Sequence, residues 1–421
     1  MKEEQTINGL PKDWKQVKLG EVCKLKNGFA FKSTEYKTEG IPVIRISDIK
    51  SGSVTIDNSV KVDANEDYEE YTIFENEILV AMSGATTGKF GIFKSKEKAY
   101  QNQRVGKFQI LDKGKLNNDF LLYQLHSLKR KIEKDAYGGA QPNISSGKIE
   151  AMEILLPPKE VQQQIVSKIE ELFSELDKGI EELKTARQQL KVYRQAVLKW
   201  AFEGKLTNEN VKDGELPEGW KWKPLGKVCT KIQDGSHFSP KYQYTEPAED
   251  RFMYITAKNI RNDYMDLSKL TYVDKDFHDS IFQRCNPEYD DVLLTKDGVN
   301  TGEVTLNTIH EPFSLLSSVC IFKTDKEQLT SAFLKYFIQS PFGAKAITNS
   351  MTGTAIKRII LRKIKESTVV LPSIEEQNQI VQEIESRLSV CDKIEETITD
   401  SLKQAEALRQ SILKKAFQGQ L

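Results

Sequence analysis

The sequence has few of the residues on which metal, disulfide and redox sites depend. It contains four histidines, and its five cysteines are scattered, odd in number and never spaced C-x-x-C. These absences argue against a disulfide framework and against a zinc site. A reducing cytoplasm is therefore the expected compartment.

Long apolar runs and net charge are missing as well. No stretch of about 18 consecutive apolar residues occurs, and the first residues lack the apolar core of a secretory signal, so no membrane contact is expected. The 61 basic residues balance the 61 acidic residues. Overall charge therefore does not indicate a polyanionic partner, and recognition of one would depend on local patches.

An internal repeat organises the 421 residues. The segment Leu10-Pro-Lys-Asp-Trp14 returns as Leu216-Pro-Glu-Gly-Trp220, and the segments Arg194–Leu206 and Arg409–Leu421 share eight of thirteen positions. Repeats of this kind decide the organisation of a chain. The sequence is therefore interpreted as two copies of one unit, the first repeat and the second repeat.

Each repeat begins with short β-rich runs and ends with a long apolar stripe. The runs alternate with Gly, Asn, Asp and Ser clusters, which indicates an α+β globular domain. Apolar residues then recur about every 3.6 positions from Val161 to Val197 and from Ile380 to Ala416, which predicts one long helix in each repeat. Shorter helices are predicted over Asp119–Glu133 and Ser331–Ser340.

The linker between the repeats fixes the expected direction of the long helices. A helix over residues 159–203 would be about 67 Å long, whereas the linker can span at most about 32 Å. The helices should therefore run antiparallel as a coiled coil and separate two similar domains in a pseudo-twofold arrangement. The predicted parts are a globular domain over 1–156, a helical spacer over 157–206, a linker over 207–215, a second globular domain over 216–371 and a second helical spacer over 372–421.

Two similar domains on a spacer suit a ligand that also repeats, and duplex DNA with two half-sites is the commonest such ligand. Charge is segregated within the neutral total. Between Gly88 and Lys107 six basic residues accompany one acidic residue, whereas Asp57–Glu77 has eight carboxylates and one lysine. Basic runs of this kind are candidate phosphate contacts, although a solvated surface is the alternative for each of them.

Polar side chains on glycine-bounded loops are candidate base contacts, because glycine lets the backbone approach a groove. A turn or capping role is the alternative for each residue. Because the candidate residues of the first repeat differ from those of the second repeat, the two DNA half-sites should differ in sequence. In the first repeat the candidate DNA contacts are Arg45, Ser83, Thr86, Thr87, Lys89, Gln101, Asn102, Arg104, Gln141 and Asn143. In the second repeat they are His237, Lys258, Arg261, Lys296, Asn300, Thr301, Ser317, Ser318, Thr352, Thr354 and Lys357.

Several short motifs, which occur in a fixed order in the two repeats, resemble those of specificity subunits of Type I restriction-modification systems over essentially the whole chain. In the second repeat, the segment Gly353-Thr-Ala-Ile356 departs from the Gly-x-Gln-Pro-x-Ile form that Gly139–Ile144 shows in the first repeat. The matching pieces, besides the repeated openings, are Gly139-Ala-Gln-Pro-Asn-Ile144, Ile154-Leu-Leu-Pro-Pro-Lys-Glu160, Asp234-Gly-Ser-His-Phe-Ser-Pro240, Leu371-Pro-Ser-Ile-Glu-Glu-Gln377 and the Ala-Phe-x-Gly-x-Leu endings at Ala201 and Ala416.

The resemblance implies a non-catalytic chain whose globular domains are target recognition domains, each reading half of an asymmetric bipartite DNA sequence. It also implies that the helices dock two methyltransferase subunits, which use S-adenosylmethionine to methylate adenine N6. A restriction and translocase subunit that hydrolyses ATP with Mg²⁺ would join them. No cofactor is expected on this chain itself.

Two alternatives stay open at the level of sequence. Asn286-Pro-Glu-Tyr289 is one residue away from the N-P-P-[YF] loop of adenine methyltransferases, but no F-x-G-x-G loop for the methyl donor accompanies it. A scaffold that binds two protein partners would share the repeat and the long helices. A DNA footprint with two separated half-sites would distinguish the scaffold from a DNA-recognition subunit.

Overall fold

The computed structural model describes residues 13–50, 52–136, 142–208, 210–212, 214–348, 351–352 and 358–421. The chain forms two compact units, which are unit 1, Met1–Leu183 with Asp400–Leu421, and unit 2, Lys184–Thr399. Each unit therefore contains one globular domain and a part of both long helices.

The two long helices span Lys159–Phe202 and Ile374–Ala416, close to the predicted bounds. In unit 2, Arg187 lies 3.5 Å from Glu395, and Arg194 lies 2.6 Å from Asp392. A higher residue number on the first helix therefore faces a lower residue number on the second helix. The helix segments in this unit thus run antiparallel, as predicted.

Unit 1 repeats this helix pairing with equivalent residues. Arg409, the counterpart of Arg194, forms an ion pair with Asp177, and its guanidinium lies 4.4 Å from the centroid of the Phe173 ring. Further along the second helix, Phe417 shares a core with Ile165, which lies nearer the start of the first helix. The helix segments in unit 1 are therefore antiparallel too.

The first domain, in unit 1, has mixed sheets whose central strand is buried on both faces. In that strand Val80 faces one core and Leu79 faces another. The strands are, in sheet order, Cys23–Asn27, Val105–Ile110, Ile78–Ala81, Phe90–Phe93, Gly52–Val54 and Ile49–Lys50 in one sheet, Val60–Val62, Ile41–Ile44, Ala99–Gln101 and Thr72–Ile73 in a second sheet, and the pair Lys15–Lys18 and Glu153–Leu156. The α-helices are Leu19–Val22, Asn118–Ala136 and Ser146–Glu150, and short 3₁₀ helices span Ser33–Glu35 and Glu66–Tyr71.

The second domain, in unit 2, repeats this plan around the equivalent strand Val292–Thr295. Its strands are Cys229–Asp234, Val319–Thr324, Val292–Thr295 and Val304–Leu306 in one sheet, Thr271–Asp274, Arg251–Ile255 and Phe313–Leu315 in a second sheet, and the pairs Lys221–Pro224 with Thr368–Leu371, Ile260–Arg261 with Tyr264–Met265, and Met351–Thr352 with Arg358–Ile359. Its helices are Leu225–Val228, Lys275–Cys285, Ser331–Gln339, Pro341–Thr348 and Leu361–Glu366. The expected α+β class and the duplicated domain are confirmed.

A buried glutamine joins each long helix to the domain before it. Gln162 is completely buried, and its Nε2 donates to the carbonyl oxygens of Lys115, at 2.8 Å, and Pro157, at 2.9 Å. Its Oε1 accepts from the backbone N–H of Asn117 at 2.9 Å. The second repeat makes the same three bonds through Gln377, to the carbonyls of Gln328 and Pro372 and from the N–H of Thr330.

No helix among the described residues is both long enough and apolar enough to cross a membrane.

Candidate nucleic-acid interface

Loops from several strands of the first domain converge at a polar cleft of about 630 Å³. Backbone hydrogen bonds hold the loops together, because Met82 donates to the Arg104 carbonyl at 3.0 Å and accepts from the N–H of Ile144 at 2.9 Å. The cleft is lined by Asn27, Met82, Ser83, Gln103, Arg104 and Pro142–Ser146. It is therefore a preformed groove whose wall carries mostly polar side chains.

The loop Gly84–Gly88 forms one rim of this region and has a fixed shape. Gly84 and Gly88 have φ values of +80° and +82°, which side chains other than glycine rarely adopt. The Thr87 hydroxyl donates to the Gly84 carbonyl at 2.6 Å. We call residues 84–88 the first tip loop.

The second domain builds the same loop with different side chains. Gly298 and Gly302 have φ values of +106° and +101°, and the Thr301 hydroxyl donates to the Gly298 carbonyl at 2.6 Å. Lys296 donates from its backbone to the Ser318 carbonyl at 2.9 Å, as Met82 does to Arg104 in the first domain. We call residues 298–302 the second tip loop.

A charged network stands in the second domain where the first domain has uncharged residues. The buried Asp234 carboxylate lies 2.7 Å from Arg284, 3.3 Å from Lys296 and 3.1 Å from the His237 Nε2 atom. Lys296 also lies 3.2 Å from Asp297. The network ties the start of the second tip loop to the loop after the strand Cys229–Asp234.

The network sets the protonation of its central carboxyl. Burial raises the pKa of Asp234, but the hydrogen bond from Arg284 and the charge of Lys296 outweigh burial, so its pKa lies below the usual value. A carboxyl whose pKa is lowered in the folded state stabilises the fold above its unfolded-state pKa. That contribution is lost as the pH falls through the folded-state pKa.

We expect Asp234→Asn to lower the free energy of unfolding of unit 2 by about 2 kcal/mol at neutral pH, because charge-assisted hydrogen bonds are lost. Urea denaturation at several pH values measures this difference. The difference from the unmodified protein should shrink as the pH falls below about 4, where the carboxyl is protonated first in the unfolded chain and then, at its lower pKa, in the folded protein. The control is Asp290→Asn, whose carboxylate binds Lys326 at the surface, and which should change stability little. A pH-independent difference for Asp234→Asn would contradict the role assigned to this carboxylate.

Three predicted DNA contacts of the first repeat require correction or reassignment. Gln101 is 1% exposed, and its Nε2 donates to the carbonyls of Lys26 and Val105, so it holds the sheet together. Thr87 is buried in the tip loop, and Asn102 is nearly buried and accepts from the backbone of Arg104. These side chains face inward because they satisfy polar groups of the backbone.

The other predicted residues of the first repeat have more solvent exposure. Ser83, Arg104 and Asn143 line the cleft, and Lys89 is exposed beside the tip loop. Thr86 is partly buried and donates to the Ile46 carbonyl. Arg45 is partly exposed, with its guanidinium 5.9 Å from the centroid of the Tyr36 ring. Gln141 lies outside the described residues.

In the second repeat the prediction for Lys296 also requires correction, because this residue is 4% exposed and lies between two carboxylates. Arg261 lies 3.8 Å from both Asp266 and Glu303, which balance its charge. The remaining positions are as follows: His237 and Lys258 are exposed, Asn300, Thr301, Ser317 and Ser318 are partly buried at the loop cluster, Thr352 lies in the strand Met351–Thr352, and Thr354 and Lys357 fall outside the described residues.

Sequence reasoning missed three polar residues, two at the cleft of the first domain and one in the charged network of the second domain. Asn27 and Gln103 line the cleft of the first domain. In the second domain Arg284 is held rigidly, because its Nε donates to the carbonyl of Asp234 at 2.9 Å. The position just before the repeated glycines Gly28 and Gly235, occupied by Asn27 and Asp234, is the sequence signal that could have identified one pair.

The segment that resembles a methyltransferase loop ends a helix. Asn286 follows the helix Lys275–Cys285 with a φ of +46°, and its side chain donates to Glu288. Tyr289 stacks on His310 with ring centroids 4.3 Å apart. Among the described residues, no three His, Cys, Asp or Glu side chains are grouped to hold a metal ion.

Two domains of one fold, each with the same loop framework but different polar side chains, define a recognition protein with two separate reading surfaces. The family model described as the Type I restriction modification DNA specificity domain matches residues 11–185 and again residues 217–404. The chain belongs to this family and is a specificity subunit, the non-catalytic DNA-recognition component of a Type I restriction-modification system. The sequence-based resemblance is thereby confirmed.

Individual relatives agree with this membership. The Type I restriction enzyme EcoBI specificity subunit of Escherichia coli is 28% identical over 437 aligned positions, covering 99% of this chain and 89% of that subunit. The MjaVIII specificity subunit of Methanocaldococcus jannaschii is 26% identical, covering 82% of this chain and 79% of that subunit.

Solved structures share the fold over nearly the full length. A chain from a structure describing complex assembly and conformational transition of the type I R-M system matches with a TM-score of 0.72 at 18% identity, covering 98% of this chain and 99% of that chain. The HsdS subunit from Thermoanaerobacter tengcongensis matches with a TM-score of 0.58 at 17% identity, covering 98% of each chain. At these identities the likeness speaks for the fold alone.

Proposed function

We propose that each domain reads one half of an asymmetric bipartite DNA sequence. The observation that carries this proposal is the pair of tip loops, which share one backbone but differ in side chains. Arg104 and Asn143 can bond to phosphates or base edges at the cleft of the first domain, and His237 and Asn300 at the loop cluster of the second domain. Different side chains on one scaffold suit different half-sites.

We further propose that the chain acts within a complex and leaves the chemistry to its partners. Two methyltransferase subunits would bind along the long helices and carry S-adenosylmethionine, and restriction and translocase subunits would carry ATP and Mg²⁺. Membership in the family and the likeness to a structure concerned with complex assembly support this proposal. All five cysteines are free thiols, which suits the reducing cytoplasm in which we place the complex.

Domain exchange tests independent recognition. Replacing residues 1–156 with the matching domain of another specificity subunit should change one half of the methylated sequence and leave the other half unchanged. Replacing residues 216–371 should have the reciprocal effect, because each tip loop and the loops bonded around it belong to one domain. Methylome sequencing of a host that carries the chimera with its methyltransferase gives both halves at once.

The two exchanges serve as each other's control. A change in both halves after a single exchange would contradict independent reading. A chain that assembles with the methyltransferase but directs no sequence-specific methylation would favour the scaffold alternative.

A further inference from the structure

The second tip loop presents an apolar side chain where a reading surface is expected to be polar. Val299 is fully exposed, with a relative accessibility of 105%. It stands between glycines of positive φ in a loop closed by the Thr301 hydroxyl. Because the side chain packs on none of the residues that the structure describes, it contributes nothing to the described core of unit 2.

A single exposed valine on a surface is ordinary, and its position distinguishes this one. The residue Lys296, two positions before the second tip loop, is bonded to the neighbouring loops, since its carbonyl accepts from the N–H of Ile359 at 2.9 Å and its N–H donates to the Ser318 carbonyl at 2.9 Å. The Ser318 hydroxyl in turn accepts from the N–H of Ala257 at 3.1 Å. Val299 therefore stands at the loop cluster that contains the candidate DNA contacts Asn300, Thr301, Ser317 and Ser318.

The charges beside Val299 favour one part of DNA over another. Residues 298–302 include no basic side chain, and Lys296, which precedes them, is buried between the Asp234 and Asp297 carboxylates, so the second tip loop offers backbone phosphates little attraction. Contact between Val299 and base edges in the major groove is the remaining possibility. The apolar group that base edges present there is the C5-methyl of thymine. Valine is stiff at χ1, so it loses little side-chain entropy when it packs on such a methyl group.

We infer that Val299 contacts a thymine methyl group in the half-site read by the second domain, and so helps to specify that base pair. The inference rests on the proposed function. Ala85 is exposed at the equivalent position of the first tip loop, where a shorter apolar side chain would reach less far. The position is thus a specificity determinant that the polar candidate set omits.

The test removes the methyl groups from each side of the contact in turn. The full chain, assembled with its methyltransferase subunits, is titrated with duplexes of the target sequence in which each thymine of that half-site, on either strand, is replaced in turn by deoxyuridine. At one position the replacement should weaken binding about three- to fivefold, as expected for one buried methyl group. Val299→Ala should weaken binding to the thymine duplex similarly and should bind both duplexes equally.

Val211→Ala is the matched control, because Val211 is also a solvent-accessible valine of unit 2 but lies in the linker before the second domain. This variant should keep the full sensitivity to deoxyuridine. The inference is overturned if no position is sensitive, if the half-site has no A·T pair, or if Val299→Ala keeps the sensitivity while target-specific binding persists. Absence of target-specific binding by the unmodified complex would overturn the proposed function together with it.

Discussion

Gln377→Leu should lower the free energy of unfolding of unit 2 by roughly 3–6 kcal/mol, because it leaves the buried carbonyl of Pro372 and the partly buried carbonyl of Gln328 and N–H of Thr330 without this partner. Leucine is close to glutamine in size, so the loss measures hydrogen bonding rather than a cavity. Gln162→Leu should destabilise unit 1 by a similar amount, since Gln162 makes the same three bonds. Urea denaturation, with hydrogen exchange of each unit followed separately, measures both effects.

Gln379→Leu is the control, because Gln379 is an exposed residue of the same helix. It should change the free energy of unfolding by less than about 0.5 kcal/mol. If Gln377→Leu were no more destabilising than this control, the buried glutamine would not join helix and domain in the way the structure indicates.

Four residues inserted after Leu183 and four after Thr399 should lengthen the unread spacer of the DNA target by one to two base pairs. These positions lie where each long helix passes from one unit into the other. The insertion adds about 6 Å to each helix and rotates it by a net 40° or so. One base pair adds about 3.4 Å and a similar twist, so DNA can follow the change. Methylome sequencing should return both half-sites unaltered with the longer spacer.

Insertion of two residues at the same positions is the control. It rotates the apolar stripe of each helix by about 200°, so the buried faces no longer match and methylation should be lost. An unchanged spacer in the four-residue variant, with methylation retained, would mean that the long helices do not set the distance between half-sites.

The helices were predictable because their signals are local. A 3.6-residue period after Pro157-Pro158 predicted the first long helix almost to its ends, and Asp119–Glu133 lies within the observed helix Asn118–Ala136. The repeat predicted that the second domain would share the fold of the first. Both signals are contained in the order of residues along the chain.

The direction of individual side chains was not predictable in the same way. Gln101 and Lys296 have polar character typical of DNA contacts, but tertiary packing turns both inward. Lys296 meets Asp234, which lies far away along the sequence. Val299 is the reverse case. An apolar residue is expected to be buried, and its exposure can be predicted only when the conformation of its loop is known.

The charged network gives the two reading surfaces different freedom to evolve. In the first domain the positions equivalent to Asp234 and Lys296 are Asn27 and Met82, and neither carries a charge. Substitutions at Asn27 can therefore alter recognition at little cost to folding. A substitution of Asp234 removes a carboxylate that pairs with both Arg284 and the buried Lys296, and leaves Lys296 with Asp297, so we expect it to require a second change. New target sequences should thus arise by single mutations more often in the first half-site, whereas the second half-site should change through paired mutations or replacement of the whole domain.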